Sequence, residues 1–339
     1  MKLGVLTGGG DCAGLNAVIR GVVKRADDYG YQVVGIRRGW AGLVEQDSFP
    51  LTYDLVEDIV GKGGTILGTS RTNPYGRKDG PETVLKNAKR MGIDCLIAIG
   101  GDDTLGVAYK LSKDGMKVVG VPKTMDNDLS GTDYTFGFFS AVDVSMDSID
   151  RLRTTGESHE RVMVAEVMGR EAGWVAAYAG IAGGAHVILV PEEPFDLEEV
   201  CNVIRARMKR GKKFSLVVVA EGAVPRSGKE MTSKAGKDEF GHVKLGGIGR
   251  WLAEQIQEKT GAETRETVFG HIVRGGSPDA FDRVLSTRLG VAAVDLVKGG
   301  KFAKMVGLSG TKIVTEDIQA VAKHKLVDMD LVKVGRIFS

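Results

Sequence analysis

No sign of charge dominates this sequence: 46 Lys and Arg stand against 44 Asp and Glu in 339 residues, a formal net charge of +2. Without an excess of one sign there is no long-range field to draw a polyanion, and no local basic cluster is large enough to argue for nucleic acid or an anionic membrane surface. Cysteine is equally scarce. Cys12, Cys95 and Cys201 are odd in number and far apart, which fits neither a disulfide framework nor a zinc site and implies a reducing compartment. No apolar export segment follows Met1, because Leu3 to Thr7 runs straight into glycines, so cytoplasm is the expected location. With eight prolines and no low-complexity tract, a disordered tail or a fibre is excluded. The uncharged stretch Ala172 to Pro191 has the length of a bilayer span. It is rich in Ala and Gly, contains His186 and stops at Pro191, so it reads as a buried helix feeding a short strand.

Glycine, in contrast, is abundant: 48 residues, about twice the ordinary share of ~7%. The glycines follow apolar runs. Leu3–Thr7 reads as a strand, Gly8-Gly9-Gly10 as a turn, and Leu15, Val18, Ile19, Val22, Val23 and Ala26 repeat at helical spacing up to Gly30. Asp94–Ile99 leads into Gly100-Gly101 and a helix through Lys113, and Lys117–Val121 leads into Pro122-Lys123-Thr124. Further strands are expected at Val162–Val167, His186–Val190, Phe214–Ala220 and Thr267–Ile272, and an exposed loop at Pro225–Gly241. Strands alternating with helices imply parallel pairing and an α/β architecture. Its functional loops belong at the carboxyl ends of the strands.

The first glycine loop opens a helix, whose N-terminus suits a phosphate. It lacks the Lys-Ser/Thr of a Walker loop and the spaced glycines of a dinucleotide site, and a tight structural turn would look the same. Gly100-Gly101-Asp102-Asp103-Thr104 places two adjacent carboxylates at a strand end. Burying an unpaired carboxylate is costly, whereas Mg²⁺ takes one or two protein carboxylates and fills its other positions with water and phosphate oxygens; a plain helix cap is the simpler alternative. Lys123-Thr124-Met125-Asp126-Asn127-Asp128 then brings a cation, a hydroxyl and two carboxylates into one loop, the parts phosphoryl transfer requires. Arg161, Arg170, Arg265, His271 and Arg274 add groups that grip phosphate.

Across nearly its whole length the sequence resembles the 6-phosphofructokinase family. The likeness runs from Thr7-Gly8-Gly9-Gly10-Asp11 through Gly131–Phe138 and Glu166-Val167-Met168-Gly169-Arg170 to Gly270-His271 and Arg274-Gly275-Gly276-Ser277-Pro278. The resemblance implies two similar three-layer α/β units with mainly parallel sheets and the active site in the cleft between them. Residues 1–138, with roughly 251–300 returning, would bind the phosphoryl donor; residues 139–250, with roughly 301–339, would bind the sugar phosphate. It implies Asp126 as the base toward the sugar 1-hydroxyl, Asp102 as the Mg²⁺ ligand, and Thr124, Lys123, Asp103 and Arg170 beside the transferring group. Gly9, Gly10, Arg71, Asp103, Thr104 and Lys123 would face the donor. Thr124, Asp126, Asp128, Met168, Gly169, Arg170, Glu221, His271 and Arg274 would face fructose 6-phosphate. Arg161 and Arg265 would come from a neighbouring subunit of a homodimer or homotetramer.

Two positions separate the branches of that family. ATP-using bacterial relatives resemble Gly-Gly-Asp-Gly-Ser and Pro-Gly-Thr in these loops, whereas Asp103 and Lys123 resemble the pyrophosphate-dependent branch. Two like charges at ~4 Å and an effective dielectric of ~20 repel by roughly 4 kcal/mol, about three decades in affinity, so a carboxylate at 103 disfavours a nucleotide α-phosphate. Pyrophosphate is therefore the expected donor, reversibly, in glycolysis and gluconeogenesis, with the ATP-dependent enzyme as the alternative. Of the effector-site residues the resemblance implies, Tyr53 and His186 depart from an arginine and a glutamate, so control there is expected to be weak or absent.

Overall fold

In a computed structural model describing residues 1–226, 228, 232–237 and 243–338, the chain begins with the strand and helix expected at the N-terminus: β1 (Lys2–Thr7) and α1 (Leu15–Asp28). It continues through β2 (Gln32–Ile36), α2 (Trp40–Glu45), β3 (Ser48–Leu51), α3 (Tyr53–Val56) and α4 (Gly80–Arg90) to β4 (Cys95–Gly100), α5 (Asp102–Lys113) and β5 (Val118–Pro122). The second unit contains α6 (Phe138–Ser158), β6 (Val162–Val167), α7 (Trp174–Ala182), β7 (Val187–Leu189), α8 (Leu197–Lys209) and β8 (Ser215–Ala220). After β9 (Thr232–Lys237) and β10 (Val243–Leu245) come α9 (Ile248–Thr260), β11 (Thr264–Val268), α10 (Ala280–Lys298), β12 (Lys304–Ser309), β13 (Lys312–Asp317) and α11 (Met329–Arg336).

Two sheets result. A seven-stranded sheet runs β13-β12-β5-β4-β1-β2-β3 and a four-stranded sheet β11-β6-β8-β7. All neighbours pair in parallel except the edges β3 and β13. The inner strands β1, β4, β5, β6 and β8 are buried on both faces, as the interior of a parallel sheet requires. In β4, Leu96 and Ala98 face one apolar layer while Cys95, Ile97 and Ile99 face another, and that second layer continues through Met163, Ala165 and Val167 of β6. One core therefore joins the two units. Against the first sheet, α1 and α10 meet almost backbone to backbone. A Cβ on Gly290 would lie 2.4 Å from the Val18 carbonyl, so that crossing admits only glycine.

Three expectations are corrected. The strand expected at Thr267–Ile272 is β11, three residues earlier, and Gly270–Arg274 is a turn of 3₁₀ helix. The polar segment Pro225–Gly241 holds β9, paired antiparallel with β10, where a loop was expected; its Lys229, Asp238 and Glu239 lie outside the described residues. The returning segments also divide differently. β12 and β13, expected with the sugar unit, complete the seven-stranded sheet, whereas β11, expected with the donor unit, is an edge of the smaller sheet with α9 packed on it. Hydrophobic periodicity identifies a strand but not its sheet. Among the described residues no helix is long and apolar enough to cross a membrane.

Candidate active site

The carboxyl ends of β1, β4 and β5 face those of β6, β8 and β11 across a cavity of about 560 Å³. Gly9, Gly10, Arg71, Asp102, Asp103, Thr104, Lys123, Thr124, Asp126 and Asp128 line one side, and Met168, Arg170, Glu221, His271 and Arg274 the other. Parallel strands leave their functional loops at one end. That is why residues separated by more than three quarters of the chain converge here.

Local packing explains the glycines. A Cβ on Gly8 would lie 2.5 Å from Thr104 Oγ1 and one on Gly100 2.3 Å from Thr104 Cβ. Thr104, expected to contact the donor, is thus mostly a wedge beneath two loops, with 2% of its surface exposed. The glycine loop is tied down as well: Gly8 N donates to Ile99 O and Gly9 N to Ser70 O. Lys123 is buried and donates its amine to Gly10 O, bridging the β5 and β1 loops. Burial, and next to it the Arg274 charge, push its pKa down.

The loop after β5 is held in an uncommon shape. Asn127 is fully buried with φ 52°, a left-handed conformation that asparagine tolerates. Its Oδ1 accepts from Thr135 N at 3.0 Å. Asp126 N donates to Thr124 Oγ1 at 3.1 Å, leaving the Thr124 hydroxyl proton free to point elsewhere. Asp126 Oδ1 is buried with no hydrogen-bond partner. Burial raises the Asp126 pKa, against the opposing pull of Arg274, Lys123 and Arg170. Asp128 is pushed up to about 7 by burial and then by Asp126 and Asp102. Burial raises Glu221 too, with Asp126 adding to the shift.

The donor set suits a divalent cation held partly by substrate. Asp102 and the unpartnered Asp126 oxygen are available, yet among the described residues no group of three or more His, Cys, Asp or Glu could hold a metal alone. Mg²⁺ is content with one or two carboxylates when phosphates complete its shell.

Some expected residues sit elsewhere. Gly169 lies beside the cavity with φ 140°, shaping the turn between Met168 and Arg170 rather than lining it. Arg161 and Arg265 lie at the opposite, amino end of the small sheet, and both pair with Glu263, at 2.8 and 2.6 Å. A six-residue strand at ~3.3 Å per residue separates them from this chain's own cavity. Asp11, Met125, Glu171, Leu245 and His324 line the cavity without having been singled out as site residues. His324, with Nδ1 3.9 Å from Asp128 Oδ2, has no sequence signal, since it arrives on an irregular C-terminal segment.

Comparison with known proteins agrees with this geometry. The family described as Phosphofructokinase matches residues 2–297. A protein from Amycolatopsis methanolica named pyrophosphate–fructose 6-phosphate 1-phosphotransferase is 55% identical over 340 residues, covering 100% of this chain and 99% of its own. ATP-dependent 6-phosphofructokinase 3 of Streptomyces coelicolor is 50% identical, covering 92% of each. The phosphofructokinase structure from Saccharomyces cerevisiae superposes with a TM-score of 0.82 at 29% identity, covering 95% of this chain and 45% of that longer one. With the family matched over residues 2–297 and relatives at least half identical over nearly the whole length, the chain belongs to the phosphofructokinase family.

Proposed function

We propose that the protein transfers a phosphoryl group from pyrophosphate to the 1-hydroxyl of fructose 6-phosphate, giving fructose 1,6-bisphosphate and phosphate. The observation that carries the choice of donor is that Asp103 and the buried Lys123 line the same cavity as Asp126. Relatives bearing either name are close in identity, 55% and 50%, so overall similarity alone decides little. A carboxylate at 103 occupies and charges the space a nucleotide would need, and Lys123 offers a cation to the smaller donor.

Asp126 takes the proton of the 1-hydroxyl as that oxygen attacks phosphorus, and the bond to the departing phosphate breaks. Burial raises the affinity of Asp126 for that proton while Arg274, Lys123 and Arg170 keep the carboxylate form accessible; a base tuned toward working pH transfers protons efficiently. The Thr124 hydroxyl proton points to the moving group, and Arg170 and Lys123 screen its charge. His271 and Arg274 hold the 6-phosphate, with Glu221 and Met168 shaping the sugar side. Asp102, with Asp128 in support, would hold Mg²⁺, which when bound would supply positive charge to the donor phosphates. Arg161 and Arg265 complete the sugar-phosphate site of an adjoining subunit, which makes the active species an oligomer. The reaction runs in either direction and serves glycolysis and gluconeogenesis in the cytoplasm. Initial rates with pyrophosphate and with ATP test the reading: turnover with pyrophosphate is expected, and turnover with ATP alone would refute it.

A further inference from the structure

We infer that Lys325 is a positioning residue for the transfer reaction, holding the turn that aims Asp126 and tying it to the sugar-side loop of the opposite unit. Lys325 does not line the cavity. Its ammonium spends all three N–H groups on the catalytic turn: Asn127 Oδ1 at 2.9 Å, Thr132 O at 2.9 Å and Asp133 O at 2.7 Å. Its backbone N donates to Asp128 O at 2.7 Å, and the preceding His324 forms an antiparallel bridge with Leu129. These bonds bracket Asp126 through the residues that follow it, including the left-handed Asn127 whose conformation they fix.

The same short segment reaches across the cleft. Trp174 Nε1 donates to Lys325 O at 2.9 Å, and the ammonium lies 5.3 Å from a Trp174 ring centroid. Two residues on, Val327 N donates to Glu192 Oε1 at 2.8 Å, and the Glu192 carboxylate also accepts Gly173 N at 2.9 Å. Gly173 and Trp174 open α7 just after the Met168–Arg170 loop. Residues 324–327 are therefore a strap that sets Asp126 against Arg170. Lysine suits the task because three donors must diverge to three separate oxygens; the planar arginine fork matches that arrangement only in part, and methionine not at all.

The inference rests on Asp126 being the base. It is tested on the full-length enzyme by steady-state kinetics of Lys325→Met and Lys325→Arg with pyrophosphate and fructose 6-phosphate, alongside their melting temperatures. Misplacing a reacting group by about 1 Å can cost on the order of 100-fold in rate. Lys325→Met is expected to lose roughly tenfold to 100-fold in kcat with both KM values within about threefold, and Lys325→Arg to recover part of the loss. A lowered melting temperature with kcat unchanged would reduce Lys325 to a structural residue and overturn the inference, as would a rise confined to KM. Should Lys325→Met fail to fold, Trp174→Phe removes the indole N–H that donates to Lys325 O while leaving an aromatic ring in its place: a lower kcat at unchanged KM supports the strap, and an unchanged kcat overturns it. Absence of pyrophosphate turnover in the unmodified enzyme refutes the proposed donor instead, and the kcat comparison is then made with ATP.

Discussion

Lys123 donates its amine to the carbonyl of Gly10, joining the loop that ends β5 to the glycine loop that ends β1. The contact places a buried amine in the wall of the cavity that Asp102, Asp103 and Asp126 also line, and it ties the glycine loop to that wall. A Cβ on Gly9 would stand 3.5 Å from that amine, so the loop is bare where the cation must be reached.

Replacing Asp103 and Lys123 together by glycine removes both the repulsive carboxylate and the cation. The double variant is expected to lose pyrophosphate turnover by at least ~100-fold, about the value of one strong charge-assisted contact of ~3 kcal/mol, and to bind nucleotide more tightly. Rates and inhibition constants for both donors check it; an unchanged donor preference would place selectivity elsewhere.

Asp126→Asn keeps the shape of the side chain and removes its basicity. A loss of ~10²- to 10⁴-fold in kcat is expected, with the KM of the sugar phosphate changed little. Because burial raises the Asp126 pKa, the unmodified enzyme is expected to lose kcat as pH falls through a value above the ordinary carboxylate range. A pH–rate profile reads the position of that limb.

Gly10→Ala tests the sugar side from the donor side. Its Cβ would fall 1.8 Å from Arg274 Nη1, and the arginine tip must move. Displacing Arg274 from the proposed 6-phosphate site is expected to raise the KM of fructose 6-phosphate roughly 10-fold, while the melting temperature changes little. An unchanged KM would mean that Arg274 does not hold the 6-phosphate.

His186 accepts a hydrogen bond from Leu216 N at 2.8 Å through Nδ1. Burial first, then Arg207, Arg153 and Arg210, depress its pKa to about 4. The unfolded chain therefore takes up this proton before the folded one, so the stability is present above pH ~6.5 and lost as pH falls toward ~4. Discounted for the partial exposure of the ring, the effect is about 1 kcal/mol, or roughly 2 °C. Melting curves of His186→Asn, which retains an acceptor, are expected to show a smaller loss between neutral pH and pH ~5 than the unmodified protein.

Arg161 and Arg265 offer a test by complementation. Asp126→Asn and Arg161→Ala subunits are each expected to be nearly inactive. In mixed dimers formed at random, about a quarter of the sites combine an intact Asp126 with an intact partner arginine, and activity is expected to return to that extent. No recovery on mixing would place Arg161 outside the neighbouring site.

Residue types at the strand ends were legible from the chain alone. An apolar run, then glycines, then carboxylates or a lysine with a hydroxyl, is a local pattern, and Gly8–Gly10, Gly100–Thr104 and Lys123–Asp128 each lie within one turn. What periodicity could not convey was which sheet a strand joins: only long-range pairing places β11 beside β6 and β12 beside β5. Nor could it deliver Lys325 to Asn127, a bond spanning 198 positions. Local propensity is a property of neighbours in the chain. The cleft, the strap and the raised pKa values of Asp126 and Asp128 arise from burial and charge brought together by tertiary packing, and only the folded chain decides them.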